Sequence, residues 1–246
     1  MRPTRLALFT LALGALAACS APASTSGGGA SAADEPFVPD NPTAYGPGDY
    51  CADTYVLLQP TTRANFSLGS EYYRNGDYCA AYPYLKYLVE NEPLFTGEEP
   101  DDRNFLRLAT VYEDFAAQVD STDRAERIAY LDSALMMREQ GVELLEENDI
   151  AYDPYLRDLR EGFFYFQNSA YYDDAEERQF AAFSRALEAK PDSLEDWYIN
   201  QLFIGSAAEF GNEVPNPERA AFIRQLSEVV DSQELQTNYA LSLIHI

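Results

Sequence analysis

Residues 65–93 decide the fold, and they read NFSLGSEYYRNGDYCAAYPYLKYLVENEP. Leu68 and Tyr72 are one helical turn apart and share a face, with the small Gly69 beside them. The sequence Asn75-Gly76-Asp77 is typical of a tight turn. The pattern therefore predicts a helix that ends in a turn near Asn75.

A second helical stripe follows this turn. Ala81, Leu85 and Leu88 recur at helical spacing, and Pro93 ends the segment. The sequence predicts a helical hairpin, with Gly69 and Ala81 at the points where the two helices approach closely.

This hairpin resembles a tetratricopeptide repeat (TPR). The matching features are the Leu-Gly-x-x-Tyr core, the glycine in the turn, the small residue early in the second helix and the closing proline. The resemblance implies an all-α fold, a TPR-like α-solenoid of stacked antiparallel helix pairs. Such a hairpin buries its apolar face only against stacked neighbours.

The same resemblance, in looser form, covers residues 49–240, as about four repeats and the start of a fifth. Later units are expected to begin near Asp102, Asp153 and Trp197, and residues 231–240 are expected to form the first helix of the fifth. The predicted helix 124–147 is longer than a standard repeat helix. Six helix-start signals support the array: Asp123, Asp174, Asp192 and Asp231 in capping-box patterns, and Asp153-Pro154 and Asn216-Pro217.

The N-terminal residues indicate export. Residues 1–18 carry two arginines and then an apolar run too short to span a bilayer as a mature helix. They end in Leu16-Ala17-Ala18-Cys19, which resembles the lipobox of bacterial lipoproteins. The resemblance implies cleavage before Cys19, lipidation of its side chain and a membrane anchor; the alternative is an ordinary signal peptide with an incidental cysteine. Ser20 in place of an Asp retention signal implies the outer membrane of the cell envelope.

Two further segments are expected to lie outside the fold. Residues 19–48 are rich in Ala, Ser, Gly and Pro, which predicts a flexible, disordered linker between the lipid and the folded region. Residues 241–246, LSLIHI, resemble the translated end of a transposase adapter used in sequencing libraries. The alternative is a native apolar helix end. The adapter interpretation makes the chain a fragment of a longer protein and removes His245, its only histidine.

The cysteines predict a disulfide, and the net charge argues against one class of partner. Cys51 and Cys79 remain after Cys19, and an exported chain is expected to join them in a disulfide, the alternative being two free thiols. The chain has 17 Lys and Arg against 41 Asp and Glu, a net charge of −24. Salt adaptation is one cause of such acidity, and a GC-rich genome is an equally good cause of the scarcity of lysine. Nucleic acid is not an expected partner.

No catalytic or cofactor motif is recognisable. Without His245 no nucleophile–base set can be assembled, and the chain has no phosphate-binding glycine loop or EF-hand spacing. The carboxylate clusters fall in turns and at helix starts, where acids favour the helix dipole. We therefore expect no enzyme activity and no cofactor, with a calcium ion in one of these turns as the alternative.

The candidate binding groove rests on the first helices of the first two repeats, which line the concave face in this family. Arg63, Tyr73, Arg74, Arg103 and Arg107 are the candidate groove residues. There they would hold an acidic peptide or a C-terminal carboxylate, although surface pairing with nearby acids is the alternative.

The aromatic runs 163–166 (Phe-Phe-Tyr-Phe) and 171–172 (Tyr-Tyr) are expected to pack in the core. Together they exceed what one helix face needs, so a surface for a peptide or a glycan is the alternative.

These observations favour an anchored scaffold that binds a protein or peptide and catalyses nothing. Three alternatives stay open: a lipoprotein of the outer-membrane assembly type, a glycan-capture lipoprotein, and the repeat part of an enzyme whose catalytic domain lies beyond this sequence.

Overall fold

The computed structural model describes residues 51–52, 54, 56–211 and 214–245, and all of them belong to one compact unit. The described chain is helical and contains no strand, which confirms the all-α prediction. The helices are α1 Thr62–Arg74, α2 Tyr78–Asn91, α3 Arg103–Gln118, α4 Arg124–Glu147, α5 Pro154–Gln167, α6 Ala175–Ala189, α7 Asp196–Phe210, α8 Pro217–Val229 and α9 Gln233–His245. Among them, no helix has the length and apolarity needed to cross a membrane. The predicted signal peptide, Cys19 and the linker 19–48 lie outside the described residues.

The first hairpin forms as the sequence predicts. Thr61 caps α1 by accepting a hydrogen bond from the backbone N–H of Ala64 at 3.3 Å. Gly76 turns the chain with φ +73°, a conformation that favours glycine. A Cβ on Gly69 would lie 2.9 Å from Cβ of Tyr84, so the missing side chain lets α1 and α2 approach closely.

Most helix starts also agree with the sequence. Asp123, Asp153 and Asn216 cap α4, α5 and α8 through their side chains. Asp174 stands at the start of α6, but its carboxylate accepts from Arg178 at 2.8 Å and not from a backbone N–H. α4 spans residues 124–147, the range that its pattern predicts.

Two predicted starts are wrong. Asp192 lies in the short 3-10 helix Pro191–Ser193, and α7 begins at Asp196. Near Asp231, the backbone N–H groups of Asp231 and Ser232 donate to the Asp196 carboxylate at 2.9 Å each, so α9 begins later, at Gln233. A carboxylate from α7 binds the chain at this point, and no short-range pattern in the sequence contains that contact.

Each helix packs mainly on its neighbours in the chain. The pairs α1/α2, α3/α4 and α5/α6 pack closely, whereas α4 and α5 make few backbone contacts. Two apolar cores result. One lies among α1–α4 and includes Phe164 and Tyr165 of α5, and the other lies among α5–α9 around Phe183, Ile199 and Ile223.

Two arginines of α4 connect this helix to the α5/α6 pair, with which it makes few backbone contacts. The Arg124 guanidinium donates to the carbonyl oxygens of Ala170 and Tyr171 at 2.8 and 2.9 Å, and Arg127 donates to the Tyr171 hydroxyl. The junction between α4 and the α5/α6 pair is therefore made largely by polar and aromatic contacts.

Cys51 and Cys79 form a disulfide. It ties the segment before α1 to the first turn of α2. In the same segment Leu58 is buried, and the Tyr84 hydroxyl donates to the Leu57 carbonyl oxygen at 3.0 Å.

Candidate functional site

The aromatic run 163–166 divides between the core and the surface. Phe164 and Tyr165 are buried, at 2% and 3% exposure. Phe163 and Phe166 are exposed, at 39% and 40%. The expectation that the run packs in the core therefore holds for only half of it, because four consecutive aromatic residues cannot all face one side of a helix.

The two exposed rings meet Trp197 of α7, and the three form an aromatic platform (Phe163, Phe166 and Trp197). Ring centroids of Trp197 lie 6.0 Å from Phe163 and 5.0 Å from Phe166, and Phe163 and Phe166 lie 6.2 Å apart. Trp197 is itself 38% exposed. Three large rings thus hold one another in place while a large part of their area stays in water.

Exposed apolar side chains are concentrated on two helices, α5 and α7. Among the described residues, five of the eight exposed large apolar side chains belong to α5 or α7. Besides the aromatic platform, these are Leu156 and Ile204. A contiguous exposed apolar patch marks an interaction site more often than single exposed residues do.

A cleft of about 710 Å³ lies at the junction where α4 and α5 make few contacts. Its walls come from the start of α3, the second half of α4 and the first half of α5. Its apolar lining includes Leu106, Leu135, Val142, Leu145 and Leu156. Nothing in the sequence indicated this cleft, because it depends on the angle and distance at which the consecutive helices α4 and α5 pack, and no short-range pattern contains that geometry.

Four of the five arginines that line the cleft are already paired. Their ion pairs are Arg103–Asp101 at 2.8 Å, Arg138–Glu113 at 2.6 Å, Arg157–Asp158 at 2.9 Å, and Arg185 with Asp158 at 3.1 Å and Glu161 at 2.7 Å. Arg160 forms no ion pair within the described residues. Its positive charge opposes the rise in the pKa of Asp102. Most of the positive charge in the cleft is therefore neutralised by the protein itself.

Acids of α4 form the opposite wall. Glu139, Glu143 and Glu146 recur at helical spacing, line the cleft and are exposed, and we call them the acidic stripe. Within the described chain none of them has an ion-pair partner, although Glu146 accepts a hydrogen bond from the Tyr152 hydroxyl at 2.6 Å. The uncompensated charge of the cleft is negative.

Burial affects two further carboxyl groups near this junction. It raises the pKa of Asp102, and Arg160 offsets only part of that rise. It also raises the pKa of Glu113, against the opposing effect of Arg138. Each group lies where its charged form is less well solvated than in water.

The arginines expected to line a groove are mostly engaged within the protein. Arg107 donates to the Ser70 hydroxyl at 2.6 Å and lies over the rings of Phe66 and Tyr73 at 5.4 and 5.6 Å. Burial lowers its pKa, and the neighbouring charges of Arg103 and Arg74 lower it further. Tyr73, Arg74, Arg103 and Arg107 thus lie in one region between α1 and α3.

The remaining groove residues have local contacts. Arg74 donates to the Ser70 carbonyl oxygen at 3.1 Å, and Arg103 pairs with Asp101. Arg63 lies near the start of α1 and is exposed. An acidic peptide held by these side chains stays a prediction.

No arrangement for metal chemistry is present in the described residues, where no group of three or more His, Cys, Asp or Glu side chains converges. The surface can instead bury apolar rings and balance charge, which are the elements of recognition.

Comparisons with known proteins give no relative. A scan against protein-family models finds no match, and searches of the curated proteins and of the solved structures find no significant match.

Proposed function

We propose that this chain is a lipid-anchored protein of the cell envelope, most consistent with the outer membrane, whose TPR-like stack of helix pairs serves as a scaffold for a protein partner and catalyses no reaction. The lipobox-like sequence at Cys19 supports the anchor. The close packing of α1 with α2, α3 with α4 and α5 with α6 supports the TPR-like arrangement of helix pairs.

The observation that carries the proposal is the aromatic platform. Phe163, Phe166 and Trp197 come from two first helices of successive pairs, α5 and α7, and each is more than a third exposed. Trp and other aromatic residues are enriched at the centres of protein interfaces, where they contribute most of the binding energy.

The test compares two variants of the full-length protein in the cells that encode it. Phe163→Ser with Phe166→Ser removes two rings of the platform. Met136→Ser changes an equally exposed apolar side chain on α4 that does not line the cleft. Each tagged protein is purified from detergent-solubilised envelopes, and the co-purified proteins are quantified by mass spectrometry.

We expect at least one envelope protein to co-purify with the wild type and with Met136→Ser, and to fall about tenfold or more with the platform variant. Equal recovery of every protein by all three would contradict the proposal. The circular dichroism of the variants checks that helix content is unchanged.

A further inference from the structure

We propose that the occupant of this surface is a basic protein segment: an apolar side chain of the segment packs on the aromatic platform while its Lys or Arg side chains lie against the acidic stripe of the cleft. The inference rests on the proposed function and adds the chemistry of the partner.

The platform and the cleft form one continuous surface along α5. Leu156, Arg160 and Phe163 follow one another at helical spacing, and all three are exposed. Leu156 and Arg160 line the cleft, and Phe163 belongs to the platform. A bound segment that enters the cleft therefore meets the platform within about two helical turns, or about 10 Å.

The apolar part of the surface lacks a cover within the described chain. Trp197 contacts Phe163, Phe166, Phe183 and Tyr198 on its protein side, yet it keeps 38% of its surface exposed. Covering such rings with an apolar side chain removes apolar area from water, which favours binding. The platform thus favours a partner with an aromatic or aliphatic anchor.

The charges of the cleft favour a partner segment of positive charge. Within the described chain, four carboxylates of the cleft lack an ion pair: the three of the acidic stripe and Asp102. Only one arginine of the cleft, Arg160, lacks one in that part of the chain. The whole chain adds a net charge of −24. An acidic segment would be repelled here, and a basic segment would gain contacts and a faster encounter.

The spacing along α5 suggests a pattern for the segment. An extended chain advances about 3.3 Å per residue, so the rise of about 10 Å from Leu156 in the cleft to Phe163 in the platform corresponds to about three residues. The segment we expect carries a Lys or Arg cluster about three to five residues from a Phe, Leu or similar side chain.

The chain supplies its own probe for this test, because Trp197 is its only tryptophan. Emission excited at the red edge of tryptophan absorption therefore reports on the platform alone. The protein is titrated with three tryptophan-free peptides of about twelve residues. One carries two lysines and, about three residues later, Phe-Leu; the second has glutamates in place of the lysines; the third has serines in place of Phe-Leu.

We expect a saturable blue shift of Trp197 emission with the basic apolar peptide. Its affinity should fall as salt is raised from about 50 to about 300 mM, because salt screens exposed charges. The glutamate peptide and the serine peptide should each bind at least about tenfold more weakly.

Matched charge variants locate the interaction. Glu139→Gln, Glu143→Gln and Glu146→Gln together remove the acidic stripe. Glu188→Gln, Glu209→Gln and Glu228→Gln make the same change in net charge at exposed positions that do not line the cleft. The first set should weaken the basic peptide by about tenfold and reduce its salt dependence, and the second should leave both within about twofold.

Two kinds of failure are distinguishable. If the glutamate peptide binds as well as the basic one, or if the two sets of Gln variants behave alike, the basic-partner inference is wrong while protein binding at the platform stands. If no peptide changes Trp197 emission and the platform variant also loses no partner from envelopes, both are wrong. A dimer in sedimentation equilibrium that Phe166→Ser dissociates would assign the surface to a second copy and overturn the inference.

Discussion

Gly162 of α5 lies directly against Phe183 of α6, so closely that a Cβ atom on Gly162 would overlap Cε1 of the Phe183 ring. The same ring contacts Trp197 and Tyr198, with centroids 6.2 and 5.2 Å away. Because residue 162 has no side chain, Phe183 can lie under α5 and support Trp197 from below. The packing of one glycine thus positions the exposed aromatic platform.

Gly162→Ala is therefore expected to destabilise the protein although alanine favours helices. The added methyl group must displace a fully buried ring, and overpacking of this kind costs about 1 to 3 kcal/mol. Urea unfolding followed by circular dichroism measures the loss. The double variant Gly162→Ala with Phe183→Leu should recover part of it, since a smaller side chain leaves room for the methyl group. An unchanged free energy of unfolding for Gly162→Ala would show that Phe183 does not support α5 in this way.

The disulfide is expected to contribute to stability through the unfolded chain. Cys51 and Cys79 are separated by 28 residues, and closing a loop of that length contributes about 3 to 4 kcal/mol in the chain-entropy model. Cys51→Ala with Cys79→Ala should lower the free energy of unfolding by that amount. A reductant should lower the wild type to the same value and leave the double variant unchanged. A wild type whose unfolding does not respond to the reductant would contradict the contribution.

Asp102 is expected to make stability depend on pH in a defined direction. Burial raises its pKa in the folded protein, so the folded state binds this proton more tightly than the unfolded state does. The charged carboxyl group therefore lowers stability at neutral pH, and that loss disappears as the pH falls through the raised pKa toward the unfolded value of about 3.9.

Asp102→Asn tests this expectation, since asparagine is also a good residue before a helix. The variant should be more stable than the wild type at about pH 7, and the difference should shrink at about pH 4. Glu188→Gln, at an exposed position of α6, should change the free energy of unfolding by less than about 0.5 kcal/mol at both values. A loss of stability for Asp102→Asn at neutral pH would mean that contacts of the charged form outweigh its burial.

The membrane anchor has a direct test at Cys19. When cells that produce the protein are fed an alkyne-labelled fatty acid, the wild type should become labelled and sediment with membranes. Cys19→Ser should lose both properties, because several acyl chains together anchor a protein firmly. A Cys19→Ser variant that still carries the label would refute lipidation at this residue.

The sequence predicted the helices far better than the binding surface. Local signals define a helix: Gly76 marks the first turn, and Asp123, Asp153 and Asn216 cap their helices as their patterns indicate. The predictions failed at Asp231, where the carboxylate of Asp196 on α7 binds the backbone N–H groups. A contact between distant parts of the chain leaves no trace in a short pattern.

The same reason explains what was missed at the surface. The run 163–166 indicated that α5 carries more aromatic residues than one face can bury. It did not predict which of them are buried, nor that the exposed rings of Phe163 and Phe166 contact Trp197. From the sequence, the arginines of α1 and α3 are predicted groove residues, and in the structure Arg107 is largely engaged with Ser70 and two aromatic rings. Only the arrangement of neighbouring helices decides which of these side chains remain available.

Site-specific cross-linking at the platform shows whether a protein segment docks there in the cell. Phe166 is replaced by the photoreactive benzoylphenylalanine, which keeps an aromatic ring at the position, and Met136, an exposed side chain on α4, is replaced likewise as the control. On irradiation of intact cells, a platform that docks a protein segment predicts a discrete cross-linked product with another protein at position 166 and none at 136. Identical products at both positions, or no product at 166 at full incorporation, would show that the platform does not dock a protein segment.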